Sequence, residues 1–210
     1  ALGRELARVV SCNTTGLVRV LYALDTAFGV RKARVTLMRR AADPNDIKTG
    51  PINALIPDPI KLPSHHGHDV NSILPKIDIT TMAVKTSTTL MHLHALNIEL
   101  KKACSEDDII KVFEKRPRIM LVSSKDRIKS TAEAMELAKD MGRPRGDMWE
   151  NVVWKDSITI NKGELYFFQA IHQESDVVPE NVDAIRAMLE MEKDGAKSIK
   201  KTNKALGIKS

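Results

Sequence analysis

The stretch IDITTMAVKTSTTLMHLHALNIEL, residues 77–100, decides the fold class. Ile77 to Val84 and Thr88 to Leu100 predict two long strands that follow one another directly. In the second, Leu90, His92, His94 and Leu96 share one face, and Met91, Leu93 and Ala95 the other. Working outward toward the N-terminus, Glu5 to Val10 predicts a short strand that ends at Ser11-Cys12-Asn13-Thr14-Thr15. Leu17, Val20, Leu21, Leu24 and Phe28 then fall at helical spacing, and Gly29 closes that helix. Val30 to Ala42 predicts a strand, with Ala33, Val35 and Leu37 alternating against Lys32, Arg34 and Thr36. Pro44, Pro51, Pro57, Pro59, Pro63 and Pro75 interrupt Asp43 to Lys76. The apolar residues there, Ile52, Leu55, Ile56, Ile60 and Leu62, suggest an ordered irregular loop laid on the body.

Toward the C-terminus, Ser105 is a candidate N-cap for a helix running to about Lys115. Arg118 to Ser123 predicts a strand, and Thr131 to Met141 a helix closed by Gly142. Asn151 to Trp154, Ser157 to Asn161 and Glu164 to Ile171 predict a strand-rich meander, with turn chemistry at Asn161-Lys162-Gly163. A helix follows Pro179 and carries Val182, Ile185, Met188 and Leu189 on one stripe. About seven strands and five helices result, with strands in neighbouring runs. The expected class is α+β: a mostly antiparallel or mixed sheet with helices on one face, followed by a C-terminal helix.

The chain has 210 residues, 42% hydrophobic and 29% charged, which excludes whole-chain disorder. No apolar run approaches the roughly 18 residues of a membrane span. Arg4, Glu5 and Arg8 in the opening residues argue against a signal peptide. The net charge of +6 admits nucleic acid, an anionic surface or a phosphorylated small molecule as partner. Nucleic acid fits poorly: aromatics are only 4%, so stacking platforms are scarce, and 33 basic residues are dispersed among 27 acids. The basic tail, Lys197 to Lys209, reads as a solvated helix end. Cys12 and Cys104 make no disulfide framework, so a reducing cytoplasm is expected.

Cys12 sits where a strand is expected to end and a helix to begin. The open N–H groups and positive dipole end of a first helical turn favour thiolate, the nucleophilic form. Asn13 and the threonines after it offer donors for an oxyanion. A small buried cysteine that packs like alanine is the plainer reading. Cys104 precedes a helix cap without a polar cluster and reads as structural. A nucleophilic thiol needs a base, and either His92 or His94 could reach it from one sheet face. The same pair, with His65-His66-Gly67-His68-Asp69, also invites a metal site, which would support a metal-dependent hydrolase. No metallohydrolase spacing is completed, so no metal ligands are assigned. Of Arg39 and Arg40, one should point into the sheet face, where a guanidinium suits a phosphate or carboxylate.

These residues carry a resemblance. Ser11-Cys12-Asn13-Thr14-Thr15-Gly16-Leu17 resembles the active-site segment of glyceraldehyde-3-phosphate dehydrogenases. The archaeal-type (class II) branch is matched in order by the segments 37–44, 65–68, 89–94 and 172–181. The resemblance implies that Cys12 is the nucleophile and His92 its base, with His94 the competing assignment. It implies that Ser11, Asn13, His66 and Gly67 contact the substrate, and that Arg40 and Gln173 contact the cofactor, NAD or NADP. The implied reaction is phosphorylating oxidation of glyceraldehyde 3-phosphate through a thioester, with inorganic phosphate as second substrate. The implied assembly is a cytoplasmic homotetramer with no nucleic-acid or membrane partner.

Such an enzyme needs a Rossmann domain with a glycine-rich turn. None of the ten glycines here forms that turn, and in the family the domain precedes the Cys segment. The expectation is a C-terminal part of a longer polypeptide. Residues 1–176 would form the catalytic domain, and 177–210 a terminal helix that packs on the nucleotide-binding domain. The stripe from Val182 to Leu189 would then be exposed, making the chain self-associate, and the chain alone would be inactive. A basic scaffold binding nucleic acid is the non-enzymatic alternative, and it requires no Cys12.

Overall fold

The computed structural model describes residues 1–41, 51 and 53–209. The first helix, α1, spans Cys12–Phe28 and so begins at the cysteine itself, with Ser11 as its N-cap. Gly29 closes it at φ 72°, a conformation that favours glycine. β1 (Val30–Arg40) follows, then β2 (Ile56–Pro57), α2 (His65–Asn71), β3 (Asp78–Thr86) and β4 (His92–Leu100). The second half holds α3 (Glu106–Glu114), β5 (Ile119–Val122), α4 (Thr131–Asp140), β6 (Asn151–Trp154), β7 (Thr159–Asn161) and β8 (Glu164–Ile171). Two helices end the described chain, α5 (Val178–Met188) and α6 (Gly195–Leu206).

The strands form one mixed 8-stranded sheet, ordered β2-β3-β1-β4-β8-β6-β5, with β7 paired to β8. β1 runs parallel to β3, and β5 to β6. β4 is antiparallel to both β1 and β8. The α+β class and mixed sheet are as expected. Sequence alternation sets which face is covered: in β4, His92, His94, Leu96 and Ile98 are buried while Leu93, Ala95, Asn97 and Glu99 are less so. α1 buries Leu17, Val20, Leu21 and Leu24 against Ala33, Val35, Leu37 and Leu96 in the main core, joined by α3 through Ile109 and Phe113. A smaller cluster gathers Ala134 and Ala138 of α4 with Val152, Ala170 and Met148.

Several element expectations change. Residues 5–10 form no strand: Glu5 to Arg8 are exposed, and no described strand pairs with them. The proline-rich stretch is not purely irregular: it contains β2 and α2. Only Val70 of α2 is an apolar core residue, so no helical periodicity announces it; contact with β3 holds it. The part of that stretch at residues 42–50 and 52, with the strand end at Ala42 and the segment end at Pro44, lies outside the described residues. The expected terminal helix is divided in two, and α6 packs against α5. Along the expected stripe Ile185 and Leu189 are exposed, whereas Val182 and Met188 are partly covered.

Candidate active site

α1 delivers its first turn to the end of β4. Its N-terminus is capped by Ser11, whose Oγ accepts from the Thr14 amide at 3.4 Å. Cys12 is the first helical residue. Its Sγ lies 3.5 Å from His92 Nε2, and the Asn13 side-chain amide donates to it at 3.7 Å. His92 opens β4 opposite Ile171 of β8, two residues along from His94 opposite Gln169. Both imidazoles project from the covered face, but their partners differ. His92 meets the thiol, whereas His94 Nε2 meets Asn13 Oδ1 at 2.8 Å.

Backbone and side-chain donors fix the tautomers. The Arg40 amide donates to His92 Nδ1 at 3.0 Å, and Gln169 Nε2 donates to His94 Nδ1 at 3.1 Å. Each neutral ring therefore carries its proton on Nε2. His92 presents N–H to the sulfur, and His94 presents N–H to the Asn13 carbonyl. That leaves the Asn13 NH2 turned to the sulfur, in agreement with its contact. Behind Gln169, Asn151 Nδ2 donates to Gln169 Oε1 at 2.9 Å and to the Gly16 carbonyl at 2.7 Å. Arg19 in turn donates to Asn151 Oδ1 at 3.2 Å. Asn151 and Gln169 were missed by sequence reasoning. The available signal was a polar residue, Gln169, at a buried position of the alternating run Leu165, Phe167, Gln169, Ile171.

The electrostatics run against an activated thiol in this chain. Burial, and secondarily the charge of Asp176, push the Cys12 thiol up to about 12, despite the Asn13 amide and the Arg39 and Arg40 guanidinia. The expectation that a helix N-terminus would favour thiolate is outweighed here by desolvation. Burial also holds His94 down at about 3 and His92 well below the ordinary imidazole value, with neighbouring histidines and arginines adding to the effect.

The other expected residues converge on the same region in part. Arg40 is buried and donates through Nε to Gln173 Oε1 at 2.7 Å, through Nη1 to the Thr89 carbonyl at 3.2 Å, and through Nη2 to Glu174. Arg40 and Gln173, distant in sequence, are thus direct partners. Arg39 lies on the covered face in line with Ala33, Val35 and Leu37, is half-buried, and binds Asp58 at 2.5 Å. His66 is buried in the first turn of α2, its Nδ1 3.1 Å from Ser64 Oγ. Burial, then the neighbouring His65, lowers it to about 4, and its charge is felt by both His92 and His94. The Gly67 amide donates to Thr81 Oγ1 at 3.0 Å. A Cβ at Gly67 would sit 3.3 Å from the Ile79 carbonyl and from Thr81 Oγ1, so the close approach of α2 to β3 suits glycine. Ser11 is exposed beside the thiol. Cys104 lies away, against the main core. Among the described residues no three His, Cys, Asp or Glu side chains are placed to hold a metal ion. No described helix is long and apolar enough to cross a membrane.

Comparison with known proteins agrees with this arrangement. The family described as "Glyceraldehyde 3-phosphate dehydrogenase, C-terminal domain" matches residues 11–157. The chain is 65% identical over 208 residues to a glyceraldehyde-3-phosphate dehydrogenase of Methanococcoides burtonii, covering 99% of this chain and 62% of that relative. It is equally similar, 65% over 208 residues with the same coverage, to that of Methanosarcina mazei. The enzyme so named from Methanothermus fervidus is 56% identical over 206 residues, 98% of this chain and 61% of its own length. The chain therefore spans about 62% of the length of the curated relatives it matches. With its thiol at the head of α1 and an imidazole beside it, the chain belongs to the glyceraldehyde 3-phosphate dehydrogenase family.

Proposed function

We propose that this chain is the catalytic part of a phosphorylating, NAD(P)-dependent dehydrogenase that converts glyceraldehyde 3-phosphate to 1,3-bisphosphoglycerate. The observation that carries the proposal is the Cys12 Sγ–His92 Nε2 contact of 3.5 Å in a member of this family. Nothing in the site favours the metal-dependent hydrolase.

Cys12 sulfur would attack the aldehyde carbon, forming a C–S bond and a hemithioacetal. Loss of hydride and of the hydroxyl proton would leave a thioester, and phosphate would then attack its carbonyl and expel the sulfur. The Asn13 amide and the His92 Nε2–H, both aimed at the sulfur, are the donors nearest to the developing oxyanion. At rest His92 is a donor to sulfur. To serve as the base it must accept a proton at Nε2, and this requires the other neutral tautomer, with the ring proton on Nδ1 and the Arg40 amide released from it. His66, Gly67 and Ser11 are proposed as substrate contacts, in keeping with the resemblance.

The chain's polar groups fit the uncharged carboxamide end of a nicotinamide. Thr15 Oγ1, one turn along α1 from Cys12, is buried with no hydrogen-bond partner among the described residues, and Gln173 adds a half-buried amide. Gln173 and Arg40 would hold that end. When bound, the nicotinamide supplies the hydride acceptor. Residues 1–176 are proposed as the catalytic domain, and 177–210 as the segment facing a nucleotide-binding domain. A cytoplasmic homotetramer without nucleic-acid or membrane partners completes the reading. Met82, Tyr166 and Phe168, exposed together on the open sheet face, support an assembly.

Acylation from the product side tests the thiol directly, because it needs no nicotinamide. Incubated with an acyl phosphate, the Cys12 sulfur should displace phosphate and gain the acyl group, read by peptide mass after acid quenching. Acyl transfer to Cys104 alone, or to neither thiol, in both this chain and the full-length polypeptide would sink the proposal.

A further inference from the structure

Two neutral amides are fully buried behind the histidines, Asn151 at the start of β6 and Gln169 on β8. Buried amides are costly unless they are hydrogen-bonded, and these are. The Asn151 NH2 donates to the Gly16 carbonyl at 2.7 Å and to Gln169 Oε1 at 2.9 Å. The Gln169 NH2 donates to His94 Nδ1 at 3.1 Å and to the same Gly16 carbonyl at 3.3 Å. Gly16 puts no side chain in their way: a Cβ there would lie 2.4 Å from Ile171 Cδ1 and 3.7 Å from Asn151 Nδ2. A chain of amides and imidazoles can run in either direction, because an amide can turn over and a neutral ring can carry its proton on either nitrogen. The direction is decided by groups of a single polarity. Arg19 can only donate, and its five N–H groups are all engaged: Nε and Nη2 at Glu180, Nη2 also at the Asp176 carbonyl, and Nη1 at the Trp149 carbonyl and Asn151 Oδ1. The Gly16 carbonyl can only accept.

We propose that Asn151 is a positioning residue of the thiol site: pinned between Arg19 and the Gly16 carbonyl, it fixes the donor direction through Gln169, His94 and Asn13, so that an N–H and not a carbonyl faces the Cys12 sulfur. The proposal rests on the reading of Cys12 as nucleophile. With Oδ1 toward Arg19 and NH2 toward Gly16, Asn151 cannot turn over. Gln169 Oε1 must then accept, which turns its NH2 to His94 Nδ1. His94 keeps its proton on Nε2 and gives it to Asn13 Oδ1 at 2.8 Å. The Asn13 NH2 is left for the sulfur, at 3.7 Å. Run the other way, the chain would aim the Asn13 carbonyl at the sulfur, where it would repel both a thiolate and a developing oxyanion. Because Arg19 is itself held by Glu180, the polarity at the sulfur is anchored in α5, far from the thiol in sequence.

The test is Asn151→Asp, which keeps the shape and replaces the NH2 donor by an acceptor. Nitrogen NMR reads which His94 nitrogen carries the proton, and carbon NMR reads whether the new carboxyl is ionised. Wherever it is ionised, Gln169 should turn over, the His94 proton should move from Nε2 to Nδ1, and Cys12 alkylation by iodoacetamide should slow roughly tenfold, the worth of one donor to a charged sulfur. Wherever it is protonated, its O–H replaces the lost donor, and His94 should match the wild type. A switched ring in that state overturns the assignment. So does an ionised carboxyl with His94 still protonated at Nε2, even if alkylation slows, because the slowing is then an effect of charge alone. Should Asn151→Asp fail to fold, with Cys104 alkylated as fast as in urea, the wild-type ring decides. NMR coupling between Gln169 Nε2 and His94 Nδ1 across their hydrogen bond supports the direction, and a proton on His94 Nδ1 overturns it. A switched ring in a protein whose wild type takes no acyl group at Cys12 supports the Asn151 assignment and overturns only the aldehyde reading.

Discussion

At the scale of single residues, Gln169 organises the site from behind without touching the thiol. Its amide satisfies His94 Nδ1 while its carbonyl takes the Asn151 amide, so one side chain sets both the His94 tautomer and, through it, the Asn13 flip. Gln169→Leu keeps the volume but strips both bonds. It should cost about 1–3 kcal/mol in urea unfolding and slow Cys12 acylation, since Asn13 is no longer held. Unfolding and acylation both at wild-type levels would count against the relay. The histidines carry a pH signature as well. His66 and His94 titrate at about 4 and about 3 when folded, below the ordinary 6.5. The unfolded chain therefore binds more protons between those values. The stability these neutral rings contribute is complete above 6.5 and should fade as pH falls toward 3, a slope that urea midpoints measured across that range would show. Alternation in residues 92–98 was enough to place His92 and His94 on one face. Residue periodicity could not choose between them, because the choice lies in how α1 crosses the sheet, where the adjacent Cys12 and Asn13 take one imidazole each.

Among elements, the clearest device is the polar clamp that joins α5 and α6 to the sheet. Asp183 of α5 accepts from Ser198 and Thr202 of α6 at 2.7 and 2.6 Å and from Arg118, just before β5, at 2.5 Å. Burial pushes this carboxyl up, yet the bonds from Thr202, Arg118 and Ser198 and the Arg118 charge outweigh it, and the net shift is downward. Its contribution is thus present above the unfolded value of 3.8 and lost as pH falls through the lower folded one. Asp183→Ala should destabilise by about 2–4 kcal/mol, because it leaves Arg118 and two hydroxyls short of an acceptor. Hydrogen exchange should speed first in α6, and protection there equal to wild type would refute the clamp. None of this was visible in the apolar stripe of α5, which marks only the face turned elsewhere. α2 escaped for a related reason. Prolines at 57, 59 and 63 signal irregular chain. The helix after them lacks an apolar period and is held by tertiary contact with β3. By contrast α3 was legible to its first residue, since Ser105 and Asp108 form a reciprocal capping box.

At the scale of the whole molecule, two of the exposed apolar surfaces among the described residues differ in kind. The open sheet face interleaves Met82, Tyr166 and Phe168 with Arg34, Asn97 and Glu164, so its charged neighbours keep it compatible with water. The helical end is more apolar: Ile185 is 56% exposed, Leu189 67% and Met191 68%. Side chains of that size, if covered, would each contribute about 1.5–3 kcal/mol, which is enough for a few of them to drive association. The net charge of +6 is too small to hold copies apart at physiological salt, where charges are screened within about 8 Å. The 210-residue chain should therefore sediment above monomer mass at micromolar concentration, and the shift should persist in high salt, as an apolar contact requires. Ile185→Glu with Leu189→Lys should return it to a monomer, leaving the rate of Cys12 alkylation unchanged. If the double variant remains associated, the sheet face is what joins the copies, and charge placed at Met82 should then dissociate them. A wild-type monomer at every concentration would mean that neither surface is sticky enough to matter without a partner.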